Sequence, residues 1–521
     1  MRAGETGRVA RAGDPLRAPP EGAAPDVEAP LAYRAVRGGL WVALSSWWMI
    51  AAGFAANIAL TRILAPEAFG VFALAMFFAQ ALRLQPRLGL GYAYGQHSRS
   101  DAEARATFVT MDLGAAAAGM ALTLAAAPVL LALGYEALTV RVAMALGAAA
   151  TLESLTTTGT TLLEKELRFG PVSLLQGIVF PLSYAPALWL ATRGEGVWSL
   201  VAQNMTYNAL YLLGVLGILA VGRARGAGER RGGWRVSRAL AGQFLRFGAG
   251  VGIGLLGVML LAQLDSLLVG SLAGVALLGY YDRAYRTAQW PGTLLNALIA
   301  RTGFYTFARL QDDGPRLGRA LRMMVWALAA LALPISLVVF ASAPELMALL
   351  YGERWLPSAP YLRILALVAG ARPLVDNANM LFSAVGKPWL TARLTAIQVG
   401  VLAIVGLPLV WRWGAYGACL SVAAATVTGL ALVLRRLDRL ACAGVSRELL
   451  IPALAAVVAA AGALLLDHLP VIASVALPLR AALKAGAVAG LFGLVLVAAQ
   501  ARLVRERVAY VWRLARAGLA A

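Results

Sequence analysis

The chain has 521 residues, 60% of them hydrophobic and only 14% charged, with a net charge of +20. Soluble domains carry about 25% charge, so a soluble globular fold is excluded and a polytopic membrane protein is expected. Lys and Arg fall in short gaps between apolar runs, where they read as topology determinants, so nucleic acid is not an expected partner.

In chain order, residues 1–37 are rich in Pro, Gly, Ala and charge and lack the apolar core of a signal peptide. They read as a disordered cytosolic tail. At about 20 apolar residues per bilayer crossing, fourteen helices follow, at about 40–61, 69–91, 107–133, 138–163, 171–192, 197–220, 247–269, 287–308, 320–343, 360–385, 389–410, 415–434, 449–466 and 479–500. Pro86, Pro291 and Pro373 lie within spans and are candidates for kinks. The expected fold is all-α and polytopic. It comprises an N-lobe of helices 1–6 (38–221), a basic cytoplasmic linker (222–246), a C-lobe of helices 7–12 (247–434), two further helices 13–14 (435–500) and a basic cytoplasmic tail (501–521).

Charge in the loops tests this count. With both termini inside, about thirty Lys and Arg fall on the cytoplasmic side against six outside, and a missed helix would scramble that alternation. The basic linker is the longest connection, so there is no large outside domain to carry the acids of a membrane glycosyltransferase or polymerase. Cys419, Cys442, His97 and His468 lack ligand spacing. No disulfide, metal or cofactor is expected.

Three echoes point to an internal repeat. "LAPEAFGVFALA" (Leu64 to Ala75) resembles "LAGVALLGYYDRA" (Leu272 to Ala284), "TTLLEKELRFGPVSLLQ" resembles "NMLFSAVGKPWLTARL", and "GEGVWSLVAQ" resembles "WGAYGACLSVA". The offsets are similar, near 208, 218 and 220, which makes helices 1–6 and 7–12 two copies of one unit. Repeats with an even number of helices are parallel and related by an axis along the membrane normal, a transporter architecture with a path between rocking lobes.

"LTRILAPEAFGVFALAMFF", "LGLGYAYGQ", "LDSLLVGSLAGVALLGYYDRAYR", "ARLQDD" and "YGERWLPSAPYLRILAL" resemble the Wzx-type polysaccharide flippases of the multidrug/oligosaccharidyl-lipid/polysaccharide exporter superfamily, over roughly Gly38 to Leu434. The resemblance implies translocation of undecaprenyl-diphosphate-linked oligosaccharide across the bacterial inner membrane by alternating access, for lipopolysaccharide or exopolysaccharide biosynthesis. It implies the bilayer and a polyprenyl-diphosphate-linked oligosaccharide as partners, with a polysaccharide polymerase and glycosyltransferases as further candidates. A peptidoglycan-precursor flippase and a drug/cation antiporter are the alternatives within the superfamily. A catalytic role is not expected.

A diphosphate and several sugars need cations and hydrogen-bonding groups in a wet cavity, so charges within spans are the candidates. Arg83 and Arg87 share a helical face and suit a phosphate between them, or snorkel at the inside end. Arg301 is deeper, in the repeat counterpart of that helix. Arg372 and Arg393 are further cavity candidates, Arg372 also readable as a salt bridge with Asp376, itself a candidate for coupling or gating, and Arg393 as a topology charge. Glu153 and Asp112 are candidates for coupling, or for pairing with an arginine. Asp265 and the later Tyr280, Tyr281, Arg283, Tyr285 and Arg286 are expected to form an outside gate or lobe latch, with Asp265 pairing Arg283 or Arg286.

Overall fold

A computed structural model describes residues 28–83, 88–97, 102–166, 168–225, 235–310, 313–441, 444–470 and 474–520, apart from the side chains of 28–44, 222–225, 294–310, 440–441, 508 and 510–520. The described residues are helices joined by short turns. In hydrocarbon every backbone amide must find its partner within the protein, and a helix achieves this within one segment.

Among the described residues the helices fall into about fourteen segments, in order: Glu28–Ile63, Pro66–Ala81 resumed as Leu90–Gln96, Ala102–Ala132, Ala137–Lys165, Phe169–Leu182 continued as Tyr184–Thr192, Val197–Arg225, Arg238–Leu272, Val275–Leu310, Gly314–Ala341, Ala359–Ala384, Pro388–Trp413, Ala415–Ala441, Leu450–Asp467 and Leu477–Ala520. They are spans 1 to 14 below. Among the described residues ten helices are long and apolar enough to cross a membrane, and Pro66–Ala81 is a shorter apolar one. Spans 8 and 10 carry interrupting charges, Asp282, Arg283 and Arg286 in one and Arg363, Arg372 and Asp376 in the other. Ile253, Ile404 and Leu465 lie bare on the outer surface, as lipid-facing side chains do. The chain is a multi-pass membrane protein.

Several boundaries differ from the sequence expectation. Span 8 starts at Val275, so the stretch expected as a loop up to Arg286 is its first three turns. Span 7 starts at Arg238, inside the expected linker. Residues 28–37, expected to be disordered, are helical, and so are 501–520, reached across a kink at Gln500 (φ −139°, ψ 37°). Pro86 lies outside the described residues, while the helices of spans 8 and 10 run through Pro291 and Pro373. Helix starts obey local rules: the Asp313 carboxylate accepts the Arg316 N–H at 3.0 Å, with Pro315 in the first turn of span 9.

Packing repeats with a period of six spans. Spans 1/5, 2/4, 3/4, 4/6 and 5/6 pack together, and so do 7/11, 8/10, 9/10, 10/12 and 11/12. Spans 13 and 14 pack on each other and on span 9. This is the two-lobe architecture with an added pair.

The lobes fuse at one end. There a single apolar core takes Leu60, Leu64, Phe69 and Leu74 from spans 1 and 2, Leu278, Tyr281 and Ala284 from span 8, and Trp355 from the turn Glu353–Ser358 that follows the short helix Ala343–Tyr351. We call this the sealed end. At the opposite end, the linker end, the lobes keep separate cores, bridged where Phe244 of span 7 packs with Leu90, Tyr94 and Phe108. Between spans 1 and 8 the described contacts run from Thr61 down to Phe54 against Trp290, ring centroids 4.3 Å apart. Further along the same stripe of span 1, Ile50 and Trp47 are exposed.

Candidate functional site

A polar side chain exposed deep within a span faces water in a cleft, because hydrocarbon would leave it unsatisfied. Three such groups stand out, one on an N-lobe helix and two on C-lobe helices. Glu153 of span 4, with 48% of its side chain exposed, accepts Arg83 at 2.9 Å just past the first half of span 2. Arg286 of span 8 has 51% of its side chain exposed and binds both carboxylate oxygens of buried Asp282 at 2.9 Å. Asp376 of span 10 is exposed one turn beyond Arg372.

The C-lobe group surrounds a small cavity of about 50 Å³ lined by Leu261, Tyr285, Arg372, Asp376, Asn379 and Gln398 among others. Arg372 donates from Nη1 to the Tyr285 hydroxyl at 3.0 Å, a bond from span 10 to span 8. Behind it Asp265 is fully buried; Oδ2 accepts the Tyr281 hydroxyl and Oδ1 is without a hydrogen bond.

The expected pairing of Asp265 with Arg283 or Arg286 is therefore replaced, because the segment is helical. Tyr281 and Tyr285, four apart, reach toward Asp265 and Arg372, while Asp282 lies one residue round the helix and takes both arginines. Arg283 crosses the lobe boundary: Nη1 donates to Asn57 Oδ1 at 2.6 Å, Nη2 to Asp282 Oδ2 at 2.8 Å, and its guanidinium lies 4.2 Å from the Phe69 ring centre. Beside it Arg62 donates to the carbonyl of Leu350 and Trp355 Nε1 to that of Thr61, both at 2.9 Å. Asp282 was missed in the sequence although it stands in the quoted "LGYYDRAYR"; its i, i+4 spacing to Arg286 was the available signal.

Span 4 is less polar than its composition. The hydroxyls of Thr151, Ser154, Thr156, Thr157 and Thr161 return to backbone carbonyls four residues back, so few are left for a ligand. Asp112 is buried inside the N-lobe, where Thr158 donates to it, away from the cleft. Arg393 is exposed, with no ion pair among the described residues. Arg87 lies outside the described residues, and Arg301 lies on span 8 with its side chain outside them.

A second buried charge cluster was not anticipated. Lys484 of span 14 donates to Glu345 at 2.7 Å and to Asp467 at 2.6 Å, Arg480 lies 3.7 Å from Glu345, and Arg363 of span 10 also holds Asp467. It ties the added helix pair to the C-lobe at the sealed end.

Residues 59–360 match the family described as polysaccharide biosynthesis protein. Among curated relatives, the succinoglycan biosynthesis transport protein ExoT of Rhizobium meliloti is 26% identical over 63% of this chain and 65% of its own length. The teichuronic acid biosynthesis protein TuaB of Bacillus subtilis is 27% identical over 28% of this chain and 30% of its own. The lipopolysaccharide biosynthesis protein WzxC of Escherichia coli is 28% identical over 30% and 31%. The chain thus matches between 30% and 65% of the length of these relatives. Among solved structures, the lipid II flippase MurJ in an inward closed conformation superposes with TM-score 0.67 at 12% identity, covering 89% of this chain and 100% of that one. An inward-facing multidrug transporter of the MATE family superposes with TM-score 0.56 at 15% identity over 75% and 95%. At those identities the likeness is one of fold.

Proposed function

Because this chain belongs to the polysaccharide biosynthesis protein family, we propose that it is a flippase carrying an undecaprenyl-diphosphate-linked oligosaccharide across the bacterial inner membrane by alternating access. The linker end faces the cytoplasm, as the loop charge demands, and the sealed end faces outward. The observation that carries this reading is the set of water-facing groups, Glu153 with Arg83, Arg286 with Asp282, and Arg372 with Asp376, deep within spans of both lobes and below a closed sealed end. Guanidinium groups bind phosphate oxygens bidentately. Carboxylates, amides and the Tyr285 hydroxyl meet sugar hydroxyls, while the lipid tail stays in the bilayer. The names of ExoT, TuaB and WzxC support a saccharide pathway, and enzymes that build and polymerise the repeat unit are the expected neighbours.

The test uses the purified chain in proteoliposomes with a labelled polyprenyl-diphosphate oligosaccharide on one leaflet. Label should reach an impermeant reagent on the other side, and Arg286→Ala should abolish this with the protein still folded. Equal exposure in protein-free vesicles would refute the proposal.

A further inference from the structure

A row of aromatic rings on the N-lobe lies between two of the charged groups of the cleft. Phe180 of span 5 meets Tyr184, one turn on, at a centroid distance of 5.5 Å and Tyr207 of span 6 at 5.7 Å, both edge to face. The Phe180 ring is pressed on the bare backbone of Gly53 in span 1, where a Cβ would lie 2.9 Å from it. Tyr211, which is buried, stacks on Tyr207 at 5.6 Å, so one face of Tyr207 is taken and the other is left. The Ser183 hydroxyl donates to the Phe180 carbonyl at 2.7 Å and accepts from Gln203 Nε2 at 3.1 Å, which ties span 6 to span 5 beside the rings.

Two observations turn this row toward water rather than lipid. Tyr207 lies within range of the exposed Glu153 carboxylate, and Tyr184 within range of the Arg283 and Arg286 charges. Both tyrosines are half-buried, and among the described residues neither hydroxyl donates a hydrogen bond. A phenol without a partner is costly in hydrocarbon, and Tyr207 is ten residues, about 15 Å, beyond the start of its helix. The open sides of these rings therefore belong to the wet cleft.

A pyranose ring has a flat face of C–H bonds rimmed by hydroxyls. An aromatic face suits the first, and the neighbouring carboxylate and guanidinium groups suit the second. We propose that Tyr207 and Tyr184, held in place by Phe180, form a stacking platform for the pyranose rings of the transported saccharide. The platform rests on the flippase reading and adds to it a sugar site separate from the arginines that hold phosphate.

The test titrates the full chain in nanodiscs with two soluble probes, cellotetraose and inorganic pyrophosphate. Both should bind. The double variant Tyr184→Leu/Tyr207→Leu, which keeps apolar bulk, should weaken cellotetraose about tenfold and leave pyrophosphate within about twofold. Tyr184→Phe/Tyr207→Phe should keep most of the sugar affinity, and the single Tyr207→Leu decides the matter if the double Leu variant fails to insert. Pyrophosphate binding without cellotetraose binding would overturn the platform and leave the flippase reading standing. So would unchanged sugar affinity in the Leu variant, an equal loss of both probes, or a Phe variant as weak as the Leu one. If the unmodified chain bound neither probe, the flippase reading would fall and the platform with it.

Discussion

Gly70 and Gly279 pack reciprocally across the lobe boundary: a Cβ at Gly70 would lie 1.7 Å from the carbonyl oxygen of Val275, and one at Gly279 would lie 1.9 Å from that of Pro66. Each glycine is the fifth residue of its helix, spans 2 and 8, so the contact follows the axis that relates the repeats. Gly70→Val is expected to wedge the sealed end apart. Overpacking costs roughly 1–3 kcal/mol, so a cysteine placed at the buried Thr61 should react with an impermeant maleimide about ten times faster in that background. Unchanged labelling would show that the backbones yield.

Asp282, not Asp265, neutralises Arg283 and Arg286. Asp282→Ala strands Arg283 and Arg286 beside each other, and breaking a buried pair costs about 3–5 kcal/mol. A large fall in the melting temperature of the solubilised chain should follow, partly recovered by adding Arg283→Met. Asp265→Asn keeps an acceptor for the Tyr281 hydroxyl and should cost only about 1 kcal/mol. The reverse order of effects would reject the assignment.

Lys484 is 5% exposed and is shared by two acids. Lys484→Met leaves Glu345 buried with only Arg480 3.7 Å away, an arrangement expected to cost about 3 kcal/mol or more. Adding Glu345→Gln should restore much of the loss, and the recovery is read from thermal melts of single and double variants. A double variant no more stable than the single one would show that packing, not charge, is what Lys484 supplies.

Glu153 pairs with Arg83 at 2.9 Å. A half-exposed pair contributes about 0.2–1 kcal/mol, so Glu153→Gln should tighten binding of a soluble diphospho-sugar analogue by up to about fivefold, and Arg83→Gln should weaken it. Weaker binding in Glu153→Gln would assign the carboxylate itself to the ligand.

Much of the fold was legible because hydropathy and loop charge are one-dimensional signals: among the described residues most helices stand near their expected places. The sequence starts span 8 too late because Asp282, Arg283 and Arg286 depress its hydropathy, and one of them, Arg283, bonds across the lobe boundary. Partners were harder to read. The Lys484 cluster draws on spans 10, 13 and 14 and the short helix after span 9, and no spacing in the chain announces that meeting. Composition overstates the polarity of span 4, since its threonines spend their hydroxyls on their own helix.

Span 2 is sealed to the C-lobe above and below its interruption. Gly70 abuts span 8 on one side, Gln80 holds Gln263 at 2.7 Å, and past the gap Gly89 (φ +54°) meets Gly248 of span 7. A rigid rod gripped at both extremities would lock the two halves of the molecule together. The first helix of span 2 is capped at Leu82 and the second opens after Gly89, so the contacts of Gly70 and Gln80 and that of Gly89 are borne by two separate helices, and strain at one grip is not carried to the other along a single hydrogen-bonded ladder.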